Sequence, residues 1–152
     1  METFEADPEA QIGSRNNPLP IGKYAVVNDW KIRVLSVNRD ALKTVKALDP
    51  YSVSPDSNER FVLVNLQATF IGNESGEPNS DLRFKIVGSR GNTFSKNCGY
   101  STNTFDSNGE TFKGATIEGS LCFTVDTNQI THATISVQGD YYSNERKFLS
   151  LD

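Results

Sequence analysis

The feature that most constrains the fold is a run of alternating apolar and polar residues at positions 61–71. The even-numbered residues of this run are all apolar, and the odd-numbered ones become polar after Leu63; the apolar set is Val62, Val64, Leu66, Ala68 and Phe70. A period of two places alternate side chains on one face of a β-strand. The run therefore predicts a long strand over residues 60–71 with one face in a hydrophobic core.

Shorter segments repeat this alternation along the chain. They are residues 24–27, 30–37, 82–86, 93–95, 115–125, 133–137 and 147–151. Clusters of Gly, Asn, Asp and Ser separate them, and no long segment has the period of a helix. Short strands with such spacing are typical of two-layer antiparallel folds. The sequence predicts an all-β protein, an antiparallel β-sandwich of about eight strands.

Residues 1–17 do not follow the strand pattern. They carry four acidic residues and few apolar ones, so burial cannot offset the entropy of ordering them. We predict that residues 1–17 are a flexible acidic tail or linker. The folded domain is then expected over residues 18–152.

The longest insertion between predicted strands spans residues 39–59. Within it, four apolar residues have helical spacing: Ala41, Leu42, Val45 and Leu48. Asp40 is a suitable N-cap, and Pro50 would stop a helix. We predict one short helix near residues 40–48, with an irregular loop as the alternative.

Composition and motifs argue against several function classes. Fifteen Lys and Arg against nineteen Asp and Glu give a net charge of −4, which does not favour nucleic acid as a partner. No apolar stretch reaches the roughly 18 residues that span a bilayer. The segment 106–110 resembles half of a calcium loop, but the EF-hand spacing is missing, and a polar turn is expected. The sequence predicts no cofactor, no metal site and no catalytic residues.

The two cysteines leave two alternatives, a disulfide or two free thiols. With one histidine in the chain, a four-ligand zinc site cannot be completed from these residue types. Cys122 falls on the face of segment 115–125 opposite the apolar set, where a cysteine retained for packing is not expected. We predict a Cys98–Cys122 disulfide that holds the loop 96–106 against the outside of a sheet. Such bridges are typical of oxidising compartments.

Aromatic residues in predicted loops are the candidate partner-binding residues. They are Tyr51, Tyr100, Phe105, Tyr141 and Tyr142. Loop aromatics offer a large contact area at small entropic cost, although each could instead pack onto its own sheet. Tyr141 and Tyr142 are the strongest pair, because adjacent residues of a hairpin cannot both point inward. His132 is expected to point outward from a sheet and to have no role.

Four segments of the chain resemble the DUF4352 family: residues 22–34, 60–73, 82–94 and 118–125. Together they extend the resemblance over about residues 20–151. It implies an immunoglobulin-like sandwich, similar to the immunoprotective extracellular antigen of mycobacteria. It also implies an extracytoplasmic protein of a Gram-positive bacterium, secreted or lipid-anchored at the cell surface. The family has no catalytic motif to transfer, and the insertion 39–59 is longer than the usual family loop.

The function that the sequence favours is non-enzymatic binding. We expect the domain to bind a protein or a cell-envelope component through its loops. A hydrolase of envelope polymers with His132 as its base is one alternative, and a structural spacer is another. A polar cleft with perturbed titratable groups would favour the enzyme, whereas an exposed apolar loop surface would favour the binding domain.

Mass measurement tests the predicted bridge. Under non-reducing conditions, protein with a Cys98–Cys122 disulfide should be two hydrogens lighter than after reduction. The reduced sample of the same protein is the control. Two free thiols in protein recovered from an oxidising compartment would contradict the prediction.

Overall fold

The computed structural model describes residues 12–99, 101–140 and 144–152. Ten strands lie in these ranges: β1 (Ala25–Val27), β2 (Trp30–Asn38), β3 (Glu59–Phe70), β4 (Ser75–Gly76), β5 (Leu82–Val87), β6 (Thr93–Phe94), β7 (Thr111–Phe112), β8 (Thr116–Asp126), β9 (Thr134–Gly139) and β10 (Arg146–Ser150). Two α-helices, α1 (Leu42–Leu48) and α2 (Pro78–Asp81), and 3₁₀ helices at Thr104–Ser107 and Thr127–Gln129 connect them. None of these helices is long and apolar enough to cross a membrane.

The strands form two four-stranded antiparallel sheets that pack face to face. The first sheet has the order β1-β2-β3-β8, and the second has the order β10-β9-β5-β6. The two-residue strands β4 and β7 pair with each other beside them. The predicted antiparallel β-sandwich is therefore confirmed. The eight predicted strands correspond to the two large sheets, and β4 and β7 are too short for a periodic pattern to reveal.

The core between the sheets contains the even-numbered residues of β3, as the alternation predicts. Leu66 is fully buried at the centre of the first sheet, between Val34 of β2 and Gly119 of β8. Ile86 and Ile135 of the second sheet belong to the same buried cluster. The period of two thus determines which face of the longest strand is inside.

A second, smaller cluster covers the outer face of β3. It consists of Ala41, Val45, Phe61, Leu63, Cys98 and Cys122. These residues explain why the alternation of β3 begins with apolar residues on both faces. Helix α1 and the loop containing Cys98 lie over the first half of the strand, so its outer side chains are buried as well.

Helix α1 confirms the predicted helix but not its details. Its N-cap is Ala41 rather than Asp40, and no side chain caps it. Ala41 and Val45 are buried, whereas Leu42 and Leu48 are exposed. The helix has only seven residues and meets the sheet along a narrow stripe above Phe61 and Leu63. This narrow contact buries two of the four apolar residues whose spacing predicted the helix.

Residues 12–17, assigned by the sequence to the tail, pack against the last strand. The Gly13 carbonyl accepts a hydrogen bond from the Phe148 amide at 2.8 Å, and the Gly13 amide donates to the Asn17 carbonyl at 2.8 Å. A few residues further on, the Leu19 amide donates to the Phe148 carbonyl at 3.0 Å. The packed domain therefore starts before residue 18, and residues 1–11 lie outside the described ranges.

Truncation of Leu66 tests the assignment of the core face. Leu66→Ala should lower the free energy of unfolding by about 2–5 kcal/mol, because a fully buried leucine leaves a cavity. Gln67→Ala is the neighbouring control on the other face, where the Gln67 Oε1 atom accepts a hydrogen bond from Arg33 Nε at 2.8 Å. The Tyr24 hydroxyl also donates to Gln67 Oε1 at 3.1 Å, and Gln67 Nε2 donates to Glu118 Oε2 at 3.3 Å. These contacts are partly solvated, so their loss together should cost less than about 1 kcal/mol. Equal losses in urea unfolding would contradict the assignment.

Candidate functional site

The structure contains the predicted disulfide between Cys98 and Cys122. Their Cα atoms are 5.5 Å apart, and Cys122 lies on the outer face of β8. Hydrogen bonds secure the loop on either side of the bridge. The Thr124 amide donates to the Lys96 carbonyl at 2.8 Å, and the Cys122 amide donates to Asn103 Oδ1 at 2.9 Å. The loop 96–106 is therefore held against the first sheet, as predicted.

The candidate aromatic residues have different environments. The Tyr51 side chain is 94% exposed, as a binding residue requires. Phe105 is fully buried, and its ring packs edge-on against Phe84 at 5.5 Å between centroids. The prediction that Phe105 belongs to a partner-binding surface is therefore wrong. Tyr100, Tyr141 and Tyr142 lie outside the described residues.

Phe105 is buried because Gly119 lets its backbone approach β8. A Cβ atom at Gly119 would lie 2.4 Å from the Phe105 Cα atom, which no side chain tolerates. The 3₁₀ helix Thr104–Ser107 therefore rests directly on the strand and turns Phe105 into the core. A glycine at a core-facing position of a strand signals such a close approach. In the sequence, Gly119 stands among the apolar positions of segment 115–125 and is the signal for this approach.

Four exposed apolar side chains lie in and after α1; we call Leu42, Leu48, Tyr51 and Val53 the insertion surface. Val53 is 85% exposed, next to Tyr51 in exposure. The backbone that carries them is ordered by hydrogen bonds. The Ser52 amide donates to the Asp49 carbonyl at 3.0 Å, and Lys46 Nζ donates to the Ser52 carbonyl. The Tyr51 ring and the aliphatic side chains are therefore exposed on a segment whose backbone is held by hydrogen bonds.

A groove separates the insertion surface from the disulfide loop. Its volume is about 210 Å³, and it is lined by Val53, Ser54, Pro55, Phe61, Lys96, Asn97, Cys98, Gly99 and Thr124. At one end the two loops touch, since a Cβ atom at Gly99 would lie 2.9 Å from the Ser52 Cβ atom. The disulfide therefore supports one wall of this groove, and the insertion forms the other.

A second concavity, the edge cleft, opens between the two sheets beside β5. Its volume is about 270 Å³. Four polar side chains line it, Asn79, Ser95, Asn103 and Asp106, together with four apolar residues, Leu82, Phe84, Leu121 and Phe123. Arg83 also lines it, and the Arg83 Nε atom donates to the Gly139 carbonyl at 3.2 Å. The cleft combines an apolar floor with polar groups, as small binding sites do.

Asp106 is the titratable group of the edge cleft whose pKa is perturbed. Its carboxyl group is partly buried and makes no hydrogen bond or ion pair with a described residue. Burial raises the pKa of Asp106 above its ordinary value. An unpaired carboxylate in such a place costs stability, and costs of this kind are frequent at functional sites.

Within the described ranges, no three His, Cys, Asp or Glu side chains come together as metal ligands would. Asp106 belongs to a 3₁₀ helix, and the turn after it is tied down by Asn108, whose Nδ2 atom donates to the Phe105 carbonyl at 3.1 Å.

His132 was predicted on a sheet face, but it lies in a turn before β9. Its backbone is left-handed, with φ of 63°, which a period-two pattern does not anticipate. The side chain is exposed, as predicted, and Nδ1 is 2.8 Å from Asp152 Oδ2. Burial acts to raise the pKa of Asp152, but hydrogen bonds and charges from His132 and Arg39 outweigh it and hold that pKa below its ordinary value.

A third concavity of about 240 Å³ places Ser89 near His132. Arg15, Asn16 and Thr134 also line it, and the Thr134 hydroxyl is buried without a hydrogen-bond partner in the described structure. No hydrogen bond joins the Ser89 hydroxyl to the His132 ring. The three residue types of a serine hydrolase are thus in one region, but the contact that activates the nucleophile is not formed.

Solved structures share this fold. A putative lipoprotein, YcdA, from Bacillus subtilis superposes with a TM-score of 0.58 at 13% identity over 86% of this chain and 38% of its own. A conserved hypothetical protein from Bacillus anthracis has a TM-score of 0.55 at 10% identity, over 86% of this chain and 94% of its own. A putative lipoprotein from Staphylococcus aureus has a TM-score of 0.50 at 9% identity, over 86% of this chain and 89% of its own.

These likenesses show the β-sandwich fold alone, because all three identities are low. This chain spans well under half of the Bacillus subtilis chain. No protein-family model matches the sequence, so the resemblance to the DUF4352 family is not confirmed. No curated protein matches it either.

Replacing the unpaired carboxyl group tests the electrostatics of the edge cleft. Asp106→Asn should raise the free energy of unfolding at pH 7 by less than about 1 kcal/mol, because a carboxylate with a raised pKa is less favourable folded than unfolded. Solvent screens the exposed part of the group and keeps the gain small.

The sign of this effect depends on pH. The cost of the carboxylate is fully present above the raised pKa of the folded state. It disappears as the pH falls below the ordinary value of 3.8, where both states are protonated. Urea unfolding of both proteins at pH 7 and pH 3 measures it, with exposed Asp56→Asn as the matched charge control. A variant less stable than wild type at pH 7 would contradict this account.

Proposed function

We propose that this chain is a non-catalytic, immunoglobulin-like binding domain that acts outside the cytoplasm and contacts a protein partner through the insertion surface. The observation that carries the proposal is the group of four exposed apolar side chains on one ordered insertion. Several exposed apolar side chains on one short segment are more often found at interaction sites than on an ordinary surface. Tyr51, 94% exposed on a fixed backbone, has the character of an interface anchor.

The rigidity of the insertion supports this proposal. Binding by a preformed loop costs less entropy than binding by one that must first become ordered. The Tyr51 amide donates to Asp49 Oδ1 at 3.2 Å, and Val45 packs against the cluster around the disulfide. The side chains available to a partner therefore stand on a backbone that is already in place.

The disulfide and the structural likenesses support the proposed location. Disulfides persist in oxidising compartments. Two of the similar structures are described as putative lipoproteins of Gram-positive bacteria. We extend both points to this chain as a proposal: a secreted or lipid-anchored protein of a Gram-positive cell surface, related in fold to the DUF4352 family.

A protein partner fits the insertion surface better than an envelope polysaccharide. The surface exposes two leucines, a valine and a tyrosine, and polysaccharides offer few apolar groups against which branched aliphatic side chains could be buried. A polar cleft, rather than an apolar projection, would suit a hydrated polymer. The proposal therefore names a protein as the partner.

Tyr51→Ala tests the insertion surface. The variant should keep its melting temperature, because the side chain contributes little to folding, and should bind the partner at least about 1 kcal/mol more weakly. Phe112→Ala is the matched control, because Phe112 is 63% exposed in β7, outside the insertion. Immobilised wild type and both variants should be compared for capture from envelope extracts, followed by affinity measurement with the purified partner.

Treating the extract separates the alternatives. Protease treatment should remove the captured partner, whereas digestion of polysaccharide should not. Unchanged capture by Tyr51→Ala would show that the insertion surface is not the binding site. Hydrolysis of an envelope polymer by wild type, lost in His132→Ala, would favour the hydrolase instead.

A further inference from the structure

Among the described residues, no strand lies beside the edge of β5 that faces the edge cleft. β6 pairs only with Ile86 and Val87, so residues 82–85 have a strand partner, β9, on one side alone. A free strand edge presents unpaired N–H and C=O groups and readily accepts another strand. Natural proteins usually cover or charge such edges; here Arg83 and Lys85 charge the strand, and no strand of the described residues covers its edge.

The hydrogen-bond pattern identifies which backbone groups face the cleft. The Gly88 amide donates to the Asn92 carbonyl at 2.8 Å, on the β6 side of β5. Backbone groups alternate between the two sides of a strand, so Ile86 and Phe84 face the same way as Gly88. The Leu82 amide is already taken by the Pro78 carbonyl. No described residue pairs with the N–H and C=O groups of Phe84 on that side, so a ligand in the cleft can reach them.

A negatively charged side chain also lines the cleft, outside β5. Asp106 lines it from the 3₁₀ helix, with a carboxylate that has no partner among the described residues. The Asn103 Oδ1 atom accepts from the Cys122 amide, which leaves the Asn103 Nδ2 group as a donor. A ligand can thus meet a strand edge on one side and a carboxylate on the other.

We propose that the edge cleft binds a short extended peptide, which adds a strand to β5 at Phe84 and places a basic side chain against Asp106. Main-chain hydrogen bonds would supply affinity, and the carboxylate and apolar floor would supply specificity, as in other strand-addition sites. An apolar side chain of the same peptide can rest on Leu121 and Phe123.

The size of the cleft limits the ligand to a short segment. Its volume of about 270 Å³ lies just below the range of about 300–1,000 Å³ of typical ligand pockets. Two or three residues of a longer extended peptide would fill it. This site is separate from the insertion surface, so it stands or fails independently of the proposed function.

Titration with a defined peptide tests the inference. The probe is acetyl-Val-Lys-Val-Lys-Val-amide, followed by amide NMR shifts of the whole folded chain. The amides of Phe84 and Asp106 should shift, and hydrogen exchange at Phe84 should become slower. A peptide with Glu in place of Lys and one with alternate backbone nitrogens methylated are the matched controls. Neither should bind, because the first reverses the charge and the second removes the strand hydrogen bonds.

Two protein variants separate charge recognition from a general loss of negative charge. Asp106→Asn should weaken binding of the lysine peptide by about fivefold or more, the loss expected for a charge-assisted hydrogen bond at a partly solvated site. Asp56→Asn removes an equal charge from the exposed insertion and should leave the affinity unchanged.

Several outcomes would overturn the inference. Equal binding of the methylated peptide would exclude strand addition, and equal affinities of the two Asn variants would exclude Asp106 as the recognition group. Shifts confined to the insertion surface would place the peptide there. Shifts of the cleft amides with N-acetylglucosamine but not with the peptide would assign the cleft to sugars.

Discussion

The burial of β3 on both faces is the constraint on which the rest of the structure depends. Its even-numbered side chains fill the core between the sheets, and its first odd-numbered ones, Phe61 and Leu63, lie beneath α1 and the disulfide. Pairing with β2 on one side and β8 on the other satisfies its backbone along nearly its whole length. The insertion packs on β3 through this outer face, and the loop 96–106 is bonded to β8, the strand paired with β3.

Both proposed binding regions lie beside short elements that leave apolar side chains or backbone groups uncovered. The insertion surface follows from a helix too short to bury all its apolar residues, which leaves Leu42 and Leu48 outside and projects Tyr51 beyond them. The edge cleft follows from β6, which stops after two residues and leaves residues 82–85 of β5 with a described strand on one side only. A stable sandwich can carry such incomplete elements because its core is already closed elsewhere.

Prediction succeeded where a residue's environment is determined by local periodicity. The face of β3, the position of α1 and the outward phase of Cys122 follow from spacing alone. It failed for Phe105, because whether a loop aromatic turns inward depends on how closely another segment approaches, here β8 at Gly119. His132 was misplaced for a related reason: a left-handed turn residue next to a strand looks like its continuation in a pattern of alternation.

The sequence by itself determined the fold class, the core face of each long strand and the outward phase of Cys122, since all three depend on the order of side chains along single strands. Only the tertiary structure decided which loop residues are exposed, and that neither the carboxylate of Asp106 nor the edge of β5 at residues 82–85 is paired with any residue that the structure describes. Those properties depend on which surfaces are left uncovered by residues that are distant in the sequence. A period of two records which face of a strand is buried, but not whether its edge has a neighbour.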